Sequence, residues 1–486
     1  MTVIKPLIPS SKSYTQRSLI LAALVNGKSK ILNPLECDDS YHLRNALREL
    51  SATIDDTNPD CWTVQGLDQD MLNISMKSQP SGSCDGTSPP GSSDNGVPSI
   101  KHKKSSSKKR EAVHCWSENA GTVLRFISAF SLILNRPIII DGNRRLRQRP
   151  LHRLIQTLES AGISSRFIAD NGSLPLFLEK GDARTLDTDI TRNCKKGRKG
   201  KKKKRLPEKV SHETENACKS DYLEISVDPS MTSQLLSGLL MVSPLFGKPV
   251  VLKLTHESVS GPYVEMTLKA MADFGFKNVK YIDDLTIKIE PGSYSPSSFT
   301  VEKDWSSAAT MLTAAWLTCT AIDADDLNTS SLQGDKAIVS FLDSLSNDEK
   351  HIFNITDCPD IIGPLTIAAL FAKGETLIEG INHTKIKECD RPATLCRELS
   401  KIGANIFEED NLLRILPLSQ ESLLKAMGAK ELVLTDHIIL DPEDDHRMAM
   451  AFGLLSLKIP YLAVKTRECV SKSFSRFWEN LELFRE

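Results

Sequence analysis

Pro9-Ser10-Ser11-Lys12-Ser13-Tyr14-Thr15-Gln16-Arg17, followed by an apolar run at 18–25 and a strand-like segment at 30–32, decides how this chain is read. A polar cluster rich in anion-binding groups opens a short apolar helix, which turns into a strand. The arrangement recurs at Asn119-Ala120-Gly121-Thr122, Thr232-Ser233-Gln234, Asp304-Trp305-Ser306-Ser307, Pro359-Asp360 and Asp445-His446-Arg447. The helices that follow cover 123–133, 235–242, 308–317, 365–372 and 448–455, and most close on a strand, as at 137–140, 249–254, 376–378 and 460–464. Helix N-termini carry partial positive charge and free N–H groups, so they bind phosphates and carboxylates. A unit that presents many such ends implies a cleft for an anionic small molecule.

Working outward, each unit gains a second, amphipathic helix, at 41–50, 151–161, 263–274, 337–345, 392–402 and 474–483. Gly162, Gly275 and Gly403 follow three of them where a helix C-cap belongs. Six strand-helix-strand-helix-strand units, three to a domain, predict an α/β protein of two lobes with a cleft between them. An ordinary doubly wound α/β enzyme would show the same periodicity.

At 486 residues the chain exceeds one hydrophobic core, and its 40% apolar and 25% charged content is that of a soluble globular protein. No apolar stretch approaches the ~20 residues that span a bilayer. The N-terminus shows neither a secretory nor a transit pattern, and the eleven cysteines lack a CxxC pair, which points to reduced thiols in a cytoplasmic protein. Cys115 is expected to be buried and inert. With no HxxxH motif or Cys/His cluster, neither a metal nor another cofactor is expected.

The formal charge of −1 hides an asymmetry: residues 101–110 hold six Lys/Arg, residues 195–205 hold nine, and setting those aside leaves −16. Any positive field in the cleft must therefore be local. Residues 77–112 and 186–220 bury too little apolar surface to order, so both read as disordered basic insertions. A nucleic-acid role for them is disfavoured, because no aromatics interleave with the lysines.

The openings go beyond general anion binding. Asn119 to Arg125, Arg149-Pro150-Leu151, Lys387-Glu388-Cys389-Asp390-Arg391, Asp445 to Met450 and Lys472-Ser473-Phe474 follow the first motif in order. The series resembles the 5-enolpyruvylshikimate-3-phosphate synthase family of enolpyruvyl transferases over nearly the whole chain apart from the insertions. The resemblance implies a two-lobed fold, each lobe of three βαβαββ repeats, with one lobe at 10–302 and the other at 1–9 plus 303–486. It implies condensation of phosphoenolpyruvate with shikimate 3-phosphate, release of phosphate, a place in the shikimate pathway to aromatic amino acids, closure of the lobes on ligand, and a monomer.

By that resemblance Lys12, Gly121, Arg149, Gln234, Arg391, Arg447 and Lys472 bind phosphoenolpyruvate. Lys12, Ser13, Arg17, Thr232, Ser233, Gln234, Ser260, Asp360, His383 and Lys387 bind shikimate 3-phosphate, with Tyr263 lining the same pocket. Two substrates that carry two phosphates and two carboxylates need several cations: arginine for bidentate grip, lysine as a mobile point charge. Gly121 lets the backbone approach the ligand, and glyphosate is expected to compete there. Addition followed by elimination needs an acid and a base on opposite sides of the reacting atoms. Asp360 is the candidate to take the 5-hydroxyl proton; Glu388 and Lys12 are candidates for proton transfer at C3.

Taken singly, Asp360 reads as an N-cap and His446-Arg447 as helix capping; only the joint order favours a site. His383 and Lys385 stand where the family usually has Asn and Arg, and His383 is expected to make binding sensitive to pH. Thr232 replaces a common Ser, and Phe126 a common Pro, which is expected to alter the tilt of its helix. Only eight residues precede Pro9, which implies a truncated start or a module of a longer multifunctional polypeptide. Two rival readings remain. The sister UDP-N-acetylglucosamine enolpyruvyl transferases use a Cys ahead of their Arg-Pro, and residues 141–149 hold none. A non-catalytic nucleic-acid-associated protein would bind with steep salt dependence.

Overall fold

A computed structural model of the chain describes residues 3–72, 111–169, 172–181, 221–347, 349–428 and 438–485. The insertions read at 77–112 and 186–220 lie outside these residues, Glu111 and Ala112 excepted.

Six pairs of helices carry the repeat: α1 (Lys12–Leu24) and α2 (Asp38–Glu49), α3 (Gly121–Phe130) and α4 (His152–Ser160), α5 (Gln234–Val242) and α6 (Gly261–Asp273). The series continues with α7 (Trp305–Thr318) and α8 (Ile338–Leu345), α9 (Ile362–Leu370) and α10 (Arg391–Leu399), α11 (His446–Leu455) and α12 (Phe477–Glu482). Several openers start earlier than hydropathy predicts, α1 at Lys12 rather than residue 18 and α7 at Trp305 rather than 308. The polar cluster is itself the first helical turn, capped by Ser11, whose hydroxyl accepts from the Tyr14 N–H, and by Asp304, which accepts from that of Ser307. Gly162, Gly275 and Gly403 all take left-handed φ, as their C-cap reading requires.

Four four-stranded sheets share one order, a parallel pair followed by an antiparallel hairpin. One runs Val113–Trp116, Ile138–Asp141, Leu176–Lys180, Ile163–Phe167. Another runs Leu223–Val227, Val250–Leu254, Thr286–Ile289, Val279–Asp283, and a third His351–Asn354, Thr376–Glu379, Leu412–Ile415, Ile406–Glu409. In the fourth, Lys28–Leu32 pairs in parallel with Ser298–Thr300, which returns from far along the chain to complete the first unit. The remaining two units keep only a parallel pair among the described residues: Val3–Ile4 with Ala321–Ile322, and Ile438–Leu440 with Leu462–Val464.

The buried apolar side chains form two clusters, one drawn from Tyr14 to Val301 and the other from Ile8 and Trp305 to Phe484. The chain passes between them twice, and the two passages lie side by side: Ser11 N–H donates to Glu302 O at 2.7 Å and Asp304 N–H to Pro9 O at 2.9 Å. Within each cluster the opener helices are buried nearly all round, as helices wrapped by others must be, while partners such as α2 bury one face. Backbones approach closely at two matching places. A Cβ on Gly238 of α5 would meet Ala129 Cβ of α3 at 3.2 Å, and one on Gly363 of α9 would meet Ala451 Cβ of α11 at 2.9 Å. Packing the openers side by side brings five of their starts to one cleft.

Candidate active site

The first lobe supplies one wall. Lys12 and Ser13 open α1, and Gln16 and Arg17 lie one turn on, on the same face. Lys12 Nζ stands 3.2 Å from Asp39 Oδ2. Burial disfavours its charge, but Asp39 and Glu388 prevail over that and over Arg447, so its pKa is raised. Arg17 is buried and has no carboxylate partner among the described residues. It donates to Thr267 Oγ1 (2.8 Å), Ser13 O (3.0 Å) and Tyr263 O (3.0 Å), and its guanidinium lies over the Phe126 and Tyr263 rings. Phe126, the departure from the family's Pro, is thus the surface on which Arg17 rests. Burial lowers the Arg17 pKa to about 10, and burial with neighbouring Arg149 does the same to Arg125. Two charged guanidiniums held without counter-ions make an anion receptor.

Gly121 sits between cations. A Cβ there would lie 2.3 Å from Arg149 Nη1 and 2.8 Å from Arg125 Nη1. Gln234 bridges α5 to α3, donating to Thr122 Oγ1 at 2.9 Å and accepting from Arg125 Nη1 at 3.2 Å.

The second lobe supplies an ion-pair network around Arg391. Its Nε pairs with Asp445 (2.9 Å), Nη1 with Asp360 (2.8 Å) and Nη2 with Glu388 (3.3 Å). Asp360 also meets Arg447 Nη2 at 3.4 Å, and Glu388 meets Lys472 Nζ at 2.9 Å. Neither Asp360 nor His446-Arg447 is a helix cap, the reading that each would have if taken singly. Asp445, not His446 or Arg447, caps α11, and Asp360 sits in the turn Pro359–Ile361 with its carboxylate committed to arginines. Burial opposes ionisation of Asp360 and Glu388, yet both are held well below the usual carboxylate range, Asp360 by Arg447, Arg391 and Lys387, Glu388 by Lys472, Arg149 and Arg391.

The walls meet across the cleft. Arg149 Nη2 is 3.5 Å from Glu388, Lys472 donates to Asn119 O at 2.9 Å, and Arg145 donates to Glu388 O. At the other end Ser260 N–H donates to Thr356 O (3.0 Å) and Gly261 N–H to Asp357 Oδ1 (2.9 Å).

Of the residues singled out in the sequence, Lys12, Ser13, Arg17, Gly121, Arg149, Thr232, Ser233, Gln234, Ser260, Tyr263, Asp360, Lys387, Glu388 and Arg391 line this one cleft. Arg447 and Lys472 stand behind it, bonded to Asp360 and Glu388. His383 is placed differently: it is buried in the turn Asn382–Thr384 and is not part of the wall. The pH sensitivity expected of it does not follow. Burial, with Lys387 and Arg391, pushes its pKa down to about 3, so it is neutral throughout the working range.

The sequence matches the EPSP synthase (3-phosphoshikimate 1-carboxyvinyltransferase) family over residues 5–82, 93–191 and 209–481. The chain belongs to that family. A 3-phosphoshikimate 1-carboxyvinyltransferase of Sulfurovum sp. is 29% identical over 98% of this chain and 95% of the relative, and one of Haemophilus influenzae is 28% identical over the same shares. An EPSP synthase structure from Acinetobacter baumannii superposes with a TM-score of 0.62 at 18% identity, covering 99% and 95% of the two chains, and so shares the fold.

Within this EPSP synthase family member, Gln16, Asp39, Arg125 and His446 also line the cleft and were not assigned from sequence. Arg125 lies inside a quoted motif, and its helical spacing of four from Gly121 could have drawn attention to it. Gln16 and His446 likewise lie inside motifs read above, whereas Asp39 carries no such local signal. His446 is buried with neither ring nitrogen hydrogen-bonded, and burial, Lys12 and Arg447 hold its pKa well below the ordinary value. Among the described residues no group of His, Cys, Asp and Glu could hold a metal ion, and no helix is long and apolar enough to cross a membrane.

Proposed function

We propose that this chain transfers the enolpyruvyl group of phosphoenolpyruvate to the 5-hydroxyl of shikimate 3-phosphate, releasing phosphate. The observation that carries this is the single cleft in which buried cations of one lobe face the Asp360–Arg391–Glu388 network of the other. Arg17, Ser13, Thr232, Ser233, Ser260 and Lys387 hold shikimate 3-phosphate. Lys12, Gly121, Arg149, Gln234, Arg391, Arg447 and Lys472 hold phosphoenolpyruvate. His383 acts from behind Lys387 as a neutral ring, and Tyr263 closes the shikimate side.

Asp360 takes the 5-hydroxyl proton as that oxygen attacks C2, and Glu388 with Lys12 serves C3. A carboxylate held far below its usual pKa is a weak base, so its cations must be drawn off first. Phosphoenolpyruvate does this: its phosphate and carboxylate engage Arg447, Arg391, Lys472 and Arg149, which are the groups that depress Asp360 and Glu388. Substrate binding thereby raises both carboxylates towards the range where they can accept and return a proton. Juxtaposing the two anions removes much of the association entropy from the barrier.

The lobes, 10–302 and 1–9 plus 303–486, close on the substrates; the protein acts as a cytoplasmic monomer, and glyphosate competes with phosphoenolpyruvate. The division is supported by the two apolar clusters and the paired crossings. The deciding experiment is phosphate release with each substrate omitted in turn. Release that requires both is expected; release from phosphoenolpyruvate alone would mark a phosphatase and refute the reading.

A further inference from the structure

Gln333 lies far along the sequence from every cluster picked out there, yet its buried amide makes four hydrogen bonds to two distant segments. Its Oε1 accepts from the Ser11 hydroxyl at 3.2 Å and from the Trp305 N–H at 3.1 Å. Its Nε2 donates to Glu302 Oε1 at 2.7 Å and to Lys303 O at 2.8 Å. Ser11 caps α1, the helix that opens with Lys12 and Ser13, and Trp305 is the first residue of α7. Gln333 is 5% exposed. Both passages between lobes, 9–11 and 302–305, are thus pinned by one side chain.

The residues that follow extend the contact. Gly334 is pressed against the second lobe's Asp357 backbone and the first lobe's Pro262, with room for no Cβ (2.3 Å and 3.1 Å). Asp335 is buried, accepts from Ser306, and feels both Asp360 and Arg447.

We infer that Gln333 is a positioning residue for the transfer, a reading that rests on the activity proposed above: it fixes the α1 cap, and so Lys12, against the lobe that carries Asp360 and Glu388. It touches no substrate. The Ser11 hydroxyl spends its proton on Gln333 Oε1, which leaves its oxygen lone pairs facing the Tyr14 N–H, so the cap and the crossing are set by the same bond. Misplacing reacting groups by about 1 Å costs on the order of 10²-fold in rate, whereas the binding of shikimate 3-phosphate, assigned mostly to first-lobe residues with Lys387 reaching in from the second, feels that displacement far less.

The test uses the full chain with Gln333→Met, Gln333→Glu, and Gln333→Glu combined with Glu302→Gln. Three quantities are read: kcat, the dissociation constant of shikimate 3-phosphate alone, and the thermal midpoint. Expected for the single variants is a kcat at least 10-fold lower, with shikimate 3-phosphate affinity within about 3-fold. Gln333→Glu keeps the acceptor for Ser11 and Trp305 but sets two carboxylates together; Glu302→Gln restores a donor, and the pair is expected to recover at least 5-fold in kcat. A lowered thermal midpoint with kcat unchanged would make Gln333 merely structural and overturn the inference, as would equal losses of kcat and shikimate 3-phosphate affinity. If Gln333→Met does not fold, the glutamate pair decides alone, and failure of Glu302→Gln to rescue counts against positioning. A wild-type chain inactive with both substrates would instead refute the proposed activity.

Discussion

Gly121→Ala asks one methyl group to share space with two guanidiniums. The new Cβ would lie 2.3 Å from Arg149 Nη1 and 2.8 Å from Arg125 Nη1. Ordinary contact begins near ~3.5 Å, so Arg149 must retreat by about 1 Å and Arg125 by somewhat less. Arg149 then swings from the place where it meets Glu388 at 3.5 Å and Asn119 at 3.2 Å. Losing one charge-assisted bond to a substrate anion costs about 1.5–3 kcal/mol, which is roughly 10- to 150-fold at ~1.4 kcal/mol per decade. The expected result is that loss in kcat/KM for phosphoenolpyruvate, read by phosphate release. Shikimate 3-phosphate affinity should change by less than about 3-fold, because the Arg17 side of the cleft is untouched. Folding should not suffer, since the crowded atoms are the tips of flexible side chains and alanine is the better helix former by up to ~1 kcal/mol. A kcat/KM for phosphoenolpyruvate within twofold of wild type would refute the reasoning. An equal loss for both substrates would mean that the whole cleft had moved.

Asp360→Asn should lower kcat by roughly 10²- to 10⁴-fold, the usual worth of a general base, and a variant that kept a tenth of wild-type kcat would remove Asp360 from that role. Glyphosate should inhibit competitively with phosphoenolpyruvate; unchanged activity at millimolar inhibitor would contradict the assignment of Arg149, Arg391, Arg447 and Lys472. Asp335 supplies a pH signature in stability. Burial, then Asp360, pushes its carboxyl up to about 7 from ~3.9 in the unfolded chain, so between those values the folded state holds a proton that the unfolded one has lost. Its contribution therefore falls as pH rises through that window, by a few kcal/mol in all. Asp360 and Glu388, shifted downward, stabilise above about pH 4 and add no slope between pH 5 and 8. The thermal midpoint of Asp335→Asn relative to wild type should thus be higher at pH 8 than at pH 5, and a pH-independent difference would show that Asp335 is ionised throughout.

What could be read in advance was local. Cap, anion-binding group and apolar run occur within a dozen residues, so the six openers and their order were legible. Their starts were not, because the first turn is polar and a hydropathy pattern begins counting one turn late. Gln333 and Asp335 were invisible because their meaning comes from partners such as Ser11, 322 positions away. Asp39 reads as an ordinary first-turn acid of α2 until folding sets it beside Lys12. The titration of His383 is hidden from sequence for the same reason: the imidazole is visible there, but not the burial and the facing Lys387 and Arg391 charges that lower its pKa.

The division of charge between the walls argues for an order of events. Asp360, Glu388 and Asp445 are each paired with arginine or lysine, so the second lobe's network is close to neutral on its own. Arg17 has no carboxylate partner among the described residues, and Lys387 makes no ion pair among them, its pKa lowered chiefly by burial. The unbalanced positive charge therefore sits on the side assigned to shikimate 3-phosphate. That anion relieves an existing repulsion when it binds, whereas phosphoenolpyruvate must compete with Glu388 and Asp360 for their cations. Shikimate 3-phosphate should therefore bind the free protein unaided, while phosphoenolpyruvate alone should bind weakly, because it must first draw Arg391 and Arg447 from Asp360 and Glu388; equal calorimetric affinities of the two for the free protein would refute this.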